Sequence, residues 1–226
     1  MNYQNILPAR FIARPNRFIA MVQIGEETVT CHVKNTGRCT ELLIPNAAVW
    51  IEKVGHPARK TEYDLIAVEK NGNLINIDSQ APNKIAAEWF PESGLFSSKT
   101  VFRAEVMQGG CRLDFLAVEN SRNTWIEVKG VTLENQGIAC FPDAPTQRGV
   151  RHLKTLIELA GRGDRAIMLF VVQMKHIAGL RPNDQTHPEF GRVLRKAAAA
   201  GVVLAAIECD VKPNSVTPVQ RVPILL

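Results

Sequence analysis

Two short runs near the middle of the chain, Arg112-Leu-Asp-Phe-Leu116 and Trp125-Ile-Glu-Val-Lys129, restrict its fold more than any other part. Both mix charges with apolar and aromatic residues, and the turn-forming run Glu119-Asn-Ser-Arg-Asn123 separates them, so they read as one hairpin. Side chains alternate along a strand, which puts Glu127 and Lys129 on one face and Ile126 and Val128 on the other. With the turn centred between Asn120 and Ser121, Asp114 falls opposite Glu127 in an antiparallel ladder. A Glu-x-Lys pattern alone more often marks a solvated face with a weak ion pair. Here Leu113, Phe115, Leu116, Trp125, Ile126 and Val128 flank the charges, which makes the strands central, and central strands seldom carry charges without a use. Two carboxylates beside a lysine offer oxygen ligands to a hard divalent cation, with an ammonium to hold water or phosphate next to it.

The remaining composition narrows the class. At 226 residues and 46% hydrophobic content, the chain suits one large domain or two small ones. No apolar run approaches a membrane span, and the N-terminus lacks the basic-then-apolar order of a secretory signal. The five cysteines are odd in number and scattered, which points to free thiols in a reducing, cytoplasmic compartment. Cys31-His32 with Cys39 lacks a Cys-x-x-Cys pair, so buried strand cysteines are the better reading than zinc. The net charge of +5 fits a polyanionic partner, and Arg10, Arg14 and Arg17 all precede the first acidic residue. The chain has no nucleotide-binding glycine loop, nucleophile elbow or zinc-protease helix.

Along the chain, two regions differ in pattern. Residues 1–80 read as five strands: Phe11–Ile24 interrupted at Pro15-Asn16, Glu27–Val33, Ala47–Ile51, Glu62–Val68 and Leu74–Ile77, with a turn over Asn35–Arg38. Five short strands, the first bent, predict a small closed or partly closed barrel of the OB-like kind, whose face commonly binds oligonucleotides. Residues 81–226 read as a helix over Pro82–Phe90, a strand over Val101–Met107, the hairpin, a helix over Thr146–Ala160, an apolar strand over Ala166–Val172, a helix over Pro188–Ala200 and a strand over Val202–Ile207. That order predicts a mixed sheet between helices, with the proline-rich tail after Lys212 as a surface wrap.

With that order in place, the second region resembles the PD-(D/E)xK nuclease superfamily, in which a metal-binding Asp lies on the second strand and Glu-x-Lys on the third. A closer resemblance spans essentially the whole chain. The strings Phe18-Ile-Ala-Met-Val22, Cys31-His-Val-Lys-Asn-Thr-Gly-Arg38, Cys111-Arg-Leu-Asp-Phe-Leu116, Ile126-Glu-Val-Lys-Gly-Val-Thr-Leu133 and Phe141-Pro-Asp-Ala-Pro-Thr-Gln-Arg-Gly149 with His152-Leu153 resemble the sugar fermentation stimulation protein (SfsA) family. Pro145 departs from that pattern, where a small or β-branched residue is more usual. The resemblance implies an α+β protein of two domains: an OB-like DNA-binding barrel over 1–80, and an α/β/α nuclease-like sandwich with a mixed sheet over 81–226. It also implies binding to DNA without sequence preference, and a proposed role in regulating sugar metabolism.

Taken together, these readings assign candidate roles. Asp114 and Glu127 are expected to hold Mg²⁺ or Mn²⁺, with the Val128 carbonyl completing the set as the superfamily pattern implies. Lys129 is expected to position water or to stabilise charge on the transition state. Glu88 on the first helix is an additional catalytic acid by the same resemblance, with Glu105 as its competitor. Arg148 and His152, four apart at a helix start, share a face: Arg148 is expected to hold a phosphate and His152 to orient that phosphate or a ligand carboxylate, while Thr146 caps the helix and Asp143 supports the loop. Arg10, Arg14, Arg17, Lys34 and Arg38 are expected to grip DNA phosphates, with Tyr63 or Trp50 as stacking surfaces. Two functions follow: a metal-dependent DNA nuclease of low specificity, or a non-catalytic DNA-binding regulator on a nuclease scaffold.

Overall fold

The computed structural model describes residues 1–35, 37–55, 59–120 and 122–226. Thr36 of the Asn35–Arg38 turn and Ser121 of the hairpin turn therefore lie outside the described residues.

The N-terminal strands are β1 (Ile6–Asn16), β2 (Ile19–Ile24), β3 (Glu27–Val33), β4 (Ala48–Lys53), β5 (Tyr63–Lys70) and β6 (Asn73–Asn76). They run in the order β3-β2-β1-β4-β5-β6, and a parallel pairing of β3 with β5 closes the first five into a barrel. Alternating residues fill its interior, among them Phe11, Val22, Val33, Ile51 and Leu65. The expected bent strand over Phe11–Ile24 is corrected to two strands. After Pro15-Asn16 the chain reverses completely, and the Asn16 side chain accepts the Phe18 N–H at 2.9 Å, a short polar turn that alternation alone does not reveal.

The second half begins with α1 (Ala81–Trp89), then β7 (Val101–Gln108), β8 (Cys111–Glu119), β9 (Arg122–Val131), β10 (Leu133–Asn135) and β11 (Ile138–Phe141). It continues with α2 (Gln147–Gly161), β12 (Arg165–Val172), β13 (Gly179–Pro182), α3 (Pro188–Ala199), β14 (Val203–Lys212) and β15 (Ser215–Arg221). The main sheet has the order β15-β14-β12-β9-β8-β7 and is mixed, since β12 runs parallel to both β9 and β14. Seven of the eight β12 residues are buried, as a strand covered on both faces requires. Ile85, Ala86 and Trp89 of α1 cover one face over Ile126, Val128 and Leu169. Leu153 and Leu156 of α2 and Phe190 and Leu194 of α3 cover the other over Met168 and Phe170. Both sheets and the helices make the predicted two-domain α+β architecture.

Two features differ from expectation. The tail after Lys212 is no loose wrap but an antiparallel edge strand on β14, with Val216 fully buried and Thr217 beside it exposed. A third, small sheet, β10-β11-β13, lies outside the predicted order; its strands have three or four residues, too few to set a period.

A polar seam joins the halves. The Asn76 N–H donates to the Gln173 carbonyl at 3.0 Å, and Gln173 Nε2 returns bonds to Asn76 Oδ1 at 2.7 Å and the Asp78 carbonyl at 3.1 Å. The first residues of the chain lie on the second half as well, where the Tyr3 N–H donates to the Asn214 carbonyl.

Candidate metal centre

The hairpin has the register that its sequence predicts. Phe115 pairs with Ile126 and Glu119 with Arg122, so the next step sets Asp114 against Glu127. The ladder stops there. Leu113 packs in the α2–α3 core as Leu116 does, whereas Phe115 and Ala117 pack toward α1, so strict alternation breaks at Asp114. The freed Val128 N–H donates to Asp114 Oδ2 at 2.8 Å, a bond that a ladder carbonyl would otherwise accept. Asn83, in the first turn of α1, donates to Asp114 Oδ1 at 2.9 Å.

Glu127 turns the opposite way and is 1% exposed. Its Oε1 bonds both the Lys129 ammonium and Nδ1 of His152 on α2. Its Oε2 is buried and finds no hydrogen-bond partner among the described residues. A buried carboxylate oxygen left without a partner costs roughly 1–3 kcal/mol, so such an atom calls for an explanation. His152 is itself buried, and its Nε2 faces the Arg148 Nε–H at 3.4 Å.

The electrostatics of the two acids diverge. Burial pushes the Asp114 carboxyl up, and the Glu127 charge pushes it further, against the donors Val128 and Asn83. Burial also acts to raise Glu127, but the hydrogen bonds and charges of His152 and Lys129 outweigh it and hold Glu127 below the usual carboxylate range. One acid is thus firmly ionised while its neighbour is disfavoured as an anion, a pairing that a bound cation relieves.

Other expected participants sit elsewhere. Glu88 is exposed and forms an ion pair with the α-amino group of Met1, so the first helix reaches the pair through Asn83 instead. Glu105 faces Asp114 in the β7–β8 register but has a positive φ of 55°, is exposed, and lies 3.6 Å from Arg112. Among the described residues, no three His, Cys, Asp or Glu side chains cluster as a metal site by themselves. Thr146 caps α2 by accepting the Gly149 N–H at 3.0 Å. Asp143 packs against Gly37, where an added Cβ would clash with its Oδ2. A cleft of about 340 Å³ between the domains runs past Gly37, Pro82, Gly130 and Thr146.

On the barrel, the expected phosphate-gripping residues divide. Arg14 is committed to the carbonyls of Arg17, Asn35, Gly37 and Arg38, at 2.7–2.9 Å. Lys34 lies between Asp64 at 3.3 Å and Asp78 at 3.0 Å. These two residues hold the fold. Arg10, Arg17 and Arg38 remain exposed, while Trp50 and Tyr63 are partly buried against the two cores.

Residues 12–77 match the family described as the SfsA N-terminal OB domain, and residues 80–215 match the sugar fermentation stimulation protein RE domain. The chain belongs to the sugar fermentation stimulation protein family. Homologues bearing that name in Clostridium beijerinckii and Ruminiclostridium cellulolyticum are 47% and 48% identical over 226 residues, each covering all of both chains. The structure of Pyrococcus furiosus SfsA in complex with Ca²⁺ is similar over 100% of this chain and 98% of that one, with a TM-score of 0.87 at 28% identity.

Proposed function

We propose that this family member is a divalent-metal-dependent nuclease that hydrolyses phosphodiester bonds in DNA with little sequence preference. The observation that carries the reading is the buried, partnerless Oε2 of Glu127, whose charge acts on the Asp114 carboxyl. Oxygen donors of this kind suit Mg²⁺ or Mn²⁺, and Asp114, Glu127 and the Val128 carbonyl would hold the ion. The Ca²⁺ bound by the Pyrococcus relative, another oxygen-seeking dication, supports the same choice. When bound, the ion supplies positive charge where negative charge builds on a phosphoryl group.

The side chains of the site have separable tasks. Asn83 and the Val128 amide orient Asp114, and His152 orients Glu127. Lys129, anchored on Glu127 and 15% exposed in its side chain, presents its remaining protons to a water or to a phosphate oxygen. Arg148 stands one helical turn from His152 at the N-terminus of α2, within reach of a neighbouring phosphate.

The test is to incubate circular and linear DNA with Mg²⁺, Mn²⁺ or EDTA, alongside Asp114→Ala and Lys129→Ala. Metal-dependent cutting that both variants abolish is the expected result. Uncut DNA that nevertheless shifts on a gel, more weakly as salt rises, would replace the nuclease by the DNA-binding regulator.

A further inference from the structure

The barrel leaves one aromatic ring open. Phe18, at the turn between β1 and β2, is 49% exposed, and it is the only Phe, Tyr or Trp among the described residues so exposed. A single exposed ring is ordinary. Its surroundings are not. The Arg17 guanidinium lies 5.8 Å from the ring centroid, within cation–π range, so one face is backed by charge and the rest is open.

The turn is also held rigid. Asn16 Oδ1 accepts the Phe18 N–H, and the Phe18 carbonyl accepts the Val33 N–H at 2.8 Å. Arg14 donates to the Arg17 and Asn35 carbonyls from one terminal nitrogen and to the Gly37 and Arg38 carbonyls from the other. That clamp brings Arg38 next to the turn. Neither Arg17 nor Arg38 forms an ion pair with a carboxylate among the described residues. Rigid aromatic surface flanked by uncommitted guanidinium groups matches a polyanion that carries flat faces.

We propose that Phe18, Arg17 and Arg38 form a stacking platform for the unpaired bases of a single-stranded nucleic acid, which rests on the nucleic-acid reading above. In a duplex, base faces are already stacked on one another, so an exposed ring has nothing to cover; an unpaired base offers its face. The position supports a continuous path. Asn35 and Gly37, clamped by the same Arg14, form one wall of the interdomain cleft, and Gly130, the neighbour of Lys129, forms another part of it. A strand seated on Phe18 thus leads toward the hairpin carboxylates.

The experiment is fluorescence anisotropy with a labelled oligothymidylate and a duplex of matched length, in EDTA, at several salt concentrations. Wild type is expected to bind the single strand more tightly. Phe18→Ala should weaken single-strand binding about ten-fold and leave duplex binding unchanged. Phe18→Tyr should restore the single-strand affinity, because the ring face returns. Arg17→Ala and Arg38→Ala should each flatten the salt dependence, which Phe18→Ala should not. Equal loss on both ligands, or no loss from Phe18→Ala, would overturn the platform. Binding of neither ligand by the wild type would overturn the platform and the nucleic-acid reading together. A wild type that stacks a single strand in EDTA yet never cuts DNA in Mg²⁺ would leave the platform standing and remove the nuclease alone.

Discussion

The side-chain amide of Asn83 donates to the carboxylate of Asp114 across 2.9 Å, tying the first turn of α1 to the point where β8 and β9 part. Without this donor, Oδ1 of Asp114 loses its anchor while Oδ2 stays on the Val128 amide. Asn83→Ala should weaken Mn²⁺ binding about ten-fold, measured by electron paramagnetic resonance of the free ion, with little change in melting temperature. An unchanged affinity would show that the Val128 bond alone sets the geometry.

Asp114 carries a cost that neutralisation should relieve. Burial and the nearby Glu127 raise its folded pKa above the unfolded value, so the cost is present at neutral pH and vanishes as pH falls below both values. Asp114→Asn should therefore stabilise the chelated protein at pH 7, and this gain should disappear in acid. The same variant should lose any stabilisation by added Mn²⁺. Urea titrations with EDTA and with Mn²⁺ at two pH values measure both effects.

His152 behaves in the opposite sense. It helps hold the Glu127 pKa below its unfolded value of 4.5, so its contribution is present above that pH and is lost as pH falls through the folded value. His152→Ala should cost about 2–3 kcal/mol at pH 7, since a buried carboxylate keeps Lys129 but loses its other donor. The difference from wild type should shrink toward pH 4. His152→Gln, which can still donate, should recover part of the loss. A cost that does not vary with pH would assign His152 to packing alone.

Lys34 and Arg14 should report on stability, not on affinity for DNA. Lys34 is partly buried, and although burial opposes its charge, Asp78 and Asp64 more than compensate and raise its pKa. Lys34→Ala removes a cation shared by two buried acids, leaving Asp64 with Arg59 and Asp78 with the Tyr3 hydroxyl and the Gln80 N–H, and should destabilise by about 1–3 kcal/mol. Gel-shift affinity of the folded fraction should match wild type, whereas Arg38→Ala should weaken it and flatten its salt dependence.

Gly130 admits no side chain. A Cβ there would meet Gln173 Oε1 at 2.5 Å and Pro82 Cγ at 2.6 Å, both in the joint between the domains. Gly130→Ala should lower stability by about 2 kcal/mol or more, as overpacking of a closed site does, and chemical denaturation checks it.

Much of this arrangement was legible from residues alone, for identifiable reasons. The Asp114–Glu127 register follows from the length of one turn, and β12 from an unbroken apolar run. The helices carry strong periodicity and clear stops, so their bounds differ by about one residue from expectation. What sequence could not show is which side chains are already committed. Arg14 and Lys34 look like free cations in a string of residues, and only the folded chain reveals the carbonyls and acids that occupy them. Glu88 has the expected charge on the expected helix, but it lies five positions beyond Asn83, and the spacing that separates their faces mattered more than charge. Phe18 was hidden inside a predicted strand because a tight reversal leaves no apolar gap.

The seam of Asn76, Asp78 and Gln173 has a consequence for how the molecule takes in its ligand. Its bonds run in both directions between the halves, through backbone and side chain alike, and their groups are buried. Opening the seam would strand several polar groups at once, so the barrel cannot swing as a lid. The passage between the domains therefore keeps a fixed gauge: what enters is chosen by width, and a strand must bend to fit the protein.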